Sequence, residues 1–123
     1  MSNLEHAFAN GRSWYQDIAQ LVAGLDNEDE CENAEQQIQE GPLSVMVRDG
    51  WRQPGQEAQD GPEEYEILLS TGGPALRIWG TIGDHFEPAT AELQAQDWGT
   101  PWMRVPDCDE AVLLTYAQQF YFG

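Results

Sequence analysis

Two runs of alternating apolar and polar residues flank one short turn sequence, and this arrangement most restricts the fold. Tyr65, Ile67 and Leu69 alternate with Glu64 and Glu66, and Leu76, Ile78 and Ile82 alternate with Arg77, Trp79 and Thr81. A period of two marks strands with one buried face. The intervening Thr71-Gly72-Gly73-Pro74 is a tight connection, so the pair reads as an antiparallel hairpin. Leu43, Val45 and Val47 alternate with Ser44, Met46 and Arg48 in a further strand that Asp49-Gly50 ends. A fourth strand is expected near Ala91–Asp97, with Leu93 and Ala95 inward. Residues 52–63, rich in Gln, Pro, Gly and acid, read as a surface loop.

Helical periods flank this meander. Trp14, Ile18, Leu21, Val22 and Leu25 form one apolar stripe, with Ser13 and Gln16 at capping-box spacing. The helix is therefore expected to start at Ser13, after a first turn that Asn10-Gly11 ends, and Gly24 suits a left-handed terminus. A second helix follows, with Asn27 and Glu30 as its capping pair, Glu28, Asp29 and Glu30 in its first turn, and a thin stripe of Cys31, Ala34 and Ile38. Gly41-Pro42 ends it. A third helix opens at Pro106-Asp107, with Asp107 and Glu110 at box spacing, and shows an apolar face of Val112, Leu113, Tyr116, Ala117 and Phe120. Two N-terminal helices, an antiparallel meander of about four strands and one C-terminal helix make an α+β fold. The 123 residues read as a single domain, 1–123, with no repeat and no dividing linker.

The charge is unusual. Asp and Glu number 22 against five Arg and no Lys, a formal net charge of −17. Small domains more often carry a magnitude of about 2–8, and self-repulsion opposes compaction. Such a chain repels nucleic acid and anionic membranes and favours basic protein surfaces. Two cysteines, Cys31 and Cys108, are too few for a disulfide scaffold; the sequence leaves open a single bridge between them and favours two buried thiols. The N-terminus lacks the basic-then-apolar run of a signal peptide, and no apolar stretch approaches a membrane span, so a cytoplasmic protein is expected.

The densest constellation is acidic. Seven acids and no base lie between Asp26 and Glu40. On a helix Glu28, Glu32 and Glu35 share a face, with axial steps of about 6 and 4.5 Å at a rise of about 1.5 Å per residue, resembling a row of backbone phosphates. A second cluster is Glu57, Asp60, Glu63, Glu64 and Glu66. Partner binding is therefore expected at Asp26, Glu28, Asp29, Glu32 and Glu35 and at this second cluster. The competing reading is a solvated face kept acidic for solubility. Asp26, Glu28 and Glu30 alternate as in a calcium loop, but Cys31 and Gln37 stand where an EF-hand needs Gly and Glu. No His/Cys spacing suggests zinc, and Thr71-Gly72-Gly73 lacks the lysine of a phosphate-binding loop. Asp84-His85 reads as a polar turn, and neither His6 nor His85 has a nucleophile motif around it. No catalytic residue, metal or cofactor is expected, and the chain is not expected to be an enzyme.

Arg48, Arg77 and Arg104 are expected to pair with local carboxylates and fix strand order. Among the aromatic residues Trp98, Trp102, Tyr116, Phe120, Tyr121 and Phe122, the two tryptophans close the core over the last helix, or part of the cluster forms an exposed patch rimmed by acid. Tyr121 and Phe122 lie off the helical face, so one of them is expected at an interface or dimer contact; the oligomeric state is not fixed by the sequence.

The stretch Leu68-Leu69-Ser70-Thr71-Gly72-Gly73-Pro74-Ala75-Leu76-Arg77-Ile78, the segment Asp97-Trp98-Gly99-Thr100-Pro101-Trp102 and the ending Tyr116-Ala117-Gln118-Gln119-Phe120-Tyr121-Phe122-Gly123 resemble small uncharacterised proteins carried by phages and other mobile elements of bacteria. In size and acidity the chain is similar, as a class, to anti-CRISPR and anti-restriction proteins, several of which imitate DNA. The resemblance implies a non-enzymatic inhibitor acting in the bacterial host cytoplasm. Its target would be a basic, nucleic-acid-binding surface of a defence complex such as a CRISPR effector. An accessory or immunity protein that caps a basic partner unrelated to DNA is the alternative.

Overall fold

The structure is a computed structural model and describes residues 3–49, 51, 53–55, 62–72, 74–97 and 99–122. Helices α1 (Asn3–Leu25) and α2 (Cys31–Glu40) lead into strand β1 (Ser44–Arg48). Strands β2 (Glu64–Ser70), β3 (Ala75–Thr81), β4 (Glu92–Gln96) and β5 (Met103–Arg104) follow, and α3 (Glu110–Ala117) closes the chain. The sheet is antiparallel throughout and its strands lie in chain order, β1-β2-β3-β4-β5. The α+β meander expected from the alternating pattern is present, with β5 as a fifth strand. Two residues are too short for a period of two to register, which is why the pattern missed it.

One face of the sheet holds the core. Tyr65, Ile67 and Leu69 of β2, Leu76 and Ile78 of β3, and Leu93 and Ala95 of β4 are buried against Ile18 of α1, Ile38 of α2 and Leu113, Tyr116 and Ala117 of α3. Burying each large apolar side chain contributes about 1.5–3 kcal/mol. The other face carries Glu64, Glu66, Arg77, Trp79, Glu92 and Gln94, which are half-buried.

The helix boundaries correct the capping expectations. Helix α1 runs without interruption through Asn10-Gly11, and Ser13 and Gln16 lie in its interior. Gly11 does not stop the helix. It is buried where α1 crosses the sheet, and a Cβ there would come 2.8 Å from Val105 Cγ2 and 3.4 Å from Leu76 Cδ2. Close approach thus explains a residue whose intrinsic helix propensity is poor. Gly24 is likewise helical, packed against Ala34. Helix α2 begins at Cys31 with Glu30 as N-cap and no side-chain cap bond, while Asn27 Oδ1 accepts from the Asp29 amide at 2.9 Å in the preceding turn. For α3 the cap is Asp109, whose carboxylate accepts from the Ala111 amide at 3.0 Å. Asp107 lies before it with φ 64°.

Two phenols are built into the core. Tyr65 Oη donates to the Thr90 carbonyl at 2.6 Å, and its ring packs on Phe122 with centroids 4.8 Å apart. Burial pushes Tyr116 up to about 12; burial, with help from the Glu110 carboxylate, also raises Tyr65. Above the ordinary phenol value of 10.0, the unfolded chain ionises both phenols while the folded chain keeps them protonated. The unfolded state then binds fewer protons, so stability falls as pH rises. A denaturation midpoint that declines as pH rises above the ordinary thiol and phenol values and on through the folded Tyr116 value is expected, the raised Cys108 thiol acting with the same sign as the phenols, and Tyr116→Phe should make the decline shallower. A midpoint unchanged up to pH 12 would show that these phenols are not buried as described.

Candidate acidic interface

The segment from the end of α1 through α2 carries the acids at highest density. Asp26, Glu28, Asp29, Glu30, Glu32, Glu35 and Glu40 are all exposed. Asp26 to Glu30 occupy the turn between the helices; the Asn27 carbonyl accepts from the amides of Glu30, at 3.1 Å, and Cys31, at 2.9 Å. Glu28 therefore precedes α2, and the expected row of three on one helical face reduces to Glu32 and Glu35 on α2 with Glu28 in the adjoining turn. The reason is local. Asn27 bonds the second amide after it, an Asx turn that competes with helical entry.

The second acidic cluster is placed differently. Glu57 and Asp60 lie outside the described residues. Glu63 is exposed at the entrance to β2. Glu64 and Glu66 stand on the sheet face away from the helices, where Arg48 Nη2 meets Glu64 Oε2 at 2.6 Å and Arg77 Nη1 meets Glu66 Oε2 at 2.6 Å. Among the described residues these are the ion pairs, and each crosses strands: Arg48 is the register partner of Glu64, and Arg77 lies diagonally from Glu66. Arg48 and Arg77 thus pin β1 and β3 to β2 as expected, though the exposed Arg48 pair contributes only about 0.2–1 kcal/mol. Arg104 lies opposite Gln94 in the register.

This sheet face is a polar network. Trp79 Nε1 donates to Glu64 Oε1 at 3.1 Å, Arg77 Nε donates to Gln94 Oε1 at 2.7 Å, and Gln94 Nε2 donates to Glu92 Oε1 at 3.0 Å. The Arg77 guanidinium carbon sits 4.3 Å from the centre of the Trp102 ring, a cation–π contact. Trp102 therefore packs on the Arg77 face and does not close the core over α3. Trp98 lies outside the described residues. A groove of about 300 Å³ lined by Met46, Arg48, Glu64, Glu66, Arg77 and Trp79 opens on this face. Its charges are matched pairwise, leaving no excess charge to recruit an ion. Charge is thereby segregated: the acids around α2 stand without an ion pair among the described residues, and the sheet face is balanced.

The remaining reactive groups are dispersed. Cys31 and Cys108 are free and only half-buried, short of the full burial expected. Burial pushes the Cys108 thiol up, with Arg12 and Arg104 pulling it down and Asp107 pushing it up, so the net shift is away from the reactive thiolate. His85 sits exposed in a 3₁₀ turn, Asp84–Phe86, with φ 60°. No group of three His, Cys, Asp or Glu side chains converges as metal ligands among the described residues. No helix among them is long and apolar enough to cross a membrane. Of the two C-terminal aromatics, Phe122 is buried on Tyr65 and Tyr121 is exposed.

Compared with protein-family models, curated proteins and solved structures, the chain matches none.

Proposed function

We propose that the protein is a stoichiometric, non-enzymatic inhibitor that sets the acidic corner of α1 and α2 against a basic nucleic-acid-binding groove. The groove belongs to a bacterial defence complex, with a CRISPR effector as the leading target, in the host cytoplasm. The carrying observation is that all seven acids from Asp26 to Glu40 are exposed and make no ion pair among the described residues. In a chain of net charge −17, that corner offers carboxylates to lysines and arginines that otherwise hold phosphates. The attraction steers encounter and fixes orientation, and it weakens with salt. Glu64 and Glu66 are neutralised by the chain's own arginines, so the corner is the better phosphate stand-in; Glu63, exposed at the entrance to β2, is a further acid apart from it.

The test is capture. Tagged protein is passed through nuclease-treated lysate of a strain with an active CRISPR system, at low and high salt. A nucleic-acid-binding complex retained at low salt, released at high salt and displaced by added duplex DNA is the expected result. A retained basic partner that still binds DNA would instead identify an accessory protein that caps a partner unrelated to nucleic acid. Absence of any basic partner would leave the acidity as a solubility device and sink the proposal.

A further inference from the structure

We infer that the outer edge of β1 is the interface of a two-fold homodimer, in which β1 pairs antiparallel with β1 of a second copy to make one continuous ten-stranded sheet. An edge strand leaves alternate N–H and C=O groups unpaired, and natural sheets blunt such edges with short strands, prolines, bulges or inward-pointing charge. The far edge follows that rule: β5 is two residues long and stands between Pro101 and Pro106. β1 is protected only at its ends, by Pro42 before it and Arg48 at its last position. It pairs with β2 in unbroken register over five residues, Ser44↔Leu68 to Arg48↔Glu64, without a bulge.

Its three central side chains, Val45, Met46 and Val47, are apolar and exposed, on both faces. By register Val45 and Val47 share the face of Ile67 and Tyr65, yet they remain 38% and 46% exposed, and Leu43 before them is 61% exposed. On the opposite face Met46 is 59% exposed. Tyr121, 82% exposed, is joined to Phe122, which stacks on Tyr65, the register partner of Val47. The helices cover β2 to β4 and stop short of β1. The exposed parts of these five side chains come to on the order of 500 Å², the upper limit of what they add toward the roughly 800 Å² each partner contributes to a standard interface, before the strand backbone is counted.

Three features select a second copy as the occupant. Antiparallel pairing of identical strands brings like faces together, so the Leu43, Val45 and Val47 row of one protomer continues into that of its partner, an isologous contact. Residues 41–48 contain no acid, so β1 itself brings no carboxylate into the contact between two chains of net charge −17. Because β5 is blunted, pairing at β1 uses the single open edge among the described residues and closes the assembly at two copies. Salt screens the remaining repulsion and strengthens this contact, the opposite of its effect on a basic partner; the two readings therefore fail independently.

Sedimentation equilibrium of the full chain across protein concentration, at low and high salt, tests the inference. A mass of twice the 13.8 kDa chain, favoured by salt, is expected. Val47→Lys and, separately, Val45→Lys should each lower the association constant at least about tenfold, since each places a charge opposite an apolar register partner, Tyr65 or Ile67, in the contact. Both positions are solvent-exposed in the single chain, so the melting temperature of dilute variant should match that of the parent. Amide exchange at residues 44–48 should slow as concentration rises. A monomer under all conditions would overturn the inference. So would a dimer that both lysine variants leave intact, a dimer without added protection at 44–48, or an assembly that grows beyond two copies.

Discussion

Changing Glu28, Glu32 and Glu35 together to lysine is expected to abolish capture of the basic partner while leaving the fold unaltered. All three side chains are exposed and none is in an ion pair among the described residues. Three reversals of two charges each move the formal charge from −17 to −11, and the relief of self-repulsion offsets the cost of a lysine in the first turn of α2 at Glu32, about 0.3–1 kcal/mol, so the melting temperature should stay close to that of the parent. Lysines facing lysines across the contact add repulsion to the lost attraction, a penalty of several kcal/mol, or at least roughly a hundredfold in dissociation constant. The matched control is Glu64→Gln with Glu66→Gln. Those carboxylates are already satisfied by Arg48 and Arg77, so their removal should cost at most a fewfold in capture. Undiminished capture by the triple lysine variant would show that the α1–α2 corner is not the binding surface.

Gly80→Ala is expected to be the most damaging Gly→Ala change among the described glycines. Gly80 lies on the core face of β3, opposite Tyr65 in the register. The backbone of Thr90 crosses directly over it. A Cβ would overlap the Thr90 carbonyl oxygen, lie 2.7 Å from its carbon and 2.8 Å from Tyr65 Oη. Backbone cannot step aside as a side chain can, and the Tyr65–Thr90 hydrogen bond is broken in the same move. The expected loss is about 3 kcal/mol or more, a fall in melting temperature of about 10 °C or more. Tyr65→Phe alone removes only the hydrogen bond, about 1 kcal/mol, and should not rescue Gly80→Ala, because the Thr90 carbonyl remains. A Gly80→Ala protein that melts with the parent would mean that Thr90 does not cross Gly80 as described.

What the sequence made legible, and what it did not, follows from the range of the interactions involved. The β2–β3 hairpin was readable because its signal is local: alternation and a turn, repeated on both sides. The stripe of Ile18 and the face of Leu113, Tyr116 and Ala117 were readable for the same reason. Asn10-Gly11 misled because its meaning is not local; glycine stands there to let α1 approach Val105, which is distant in the chain. The caps misled because Ser, Asn and Asp at three-residue spacing are common in turns as well as at helix starts, and only geometry shows which amide an oxygen accepts from. For the acidic corner, composition gave the residues and their density. It could not show that Glu64 and Glu66 are consumed by arginines while Glu32 and Glu35 are not, since that depends on strand register. The exposure of Val45 and Val47 was hidden for a related reason. Alternation states which residues share a face, and says nothing of whether a helix covers it.

The strand order has a kinetic consequence. Every pairing in the sheet joins neighbours along the chain, so each forms by closing a hairpin rather than by bringing remote strands together. Such contacts have low contact order and form quickly. The elements that must travel furthest are at the two ends: α1, whose Gly11 seats against Val105, and the tail that lays Phe122 on Tyr65. The sheet is thus a scaffold able to assemble early, with both termini locking onto it afterwards. The edge left bare while they do so is β1.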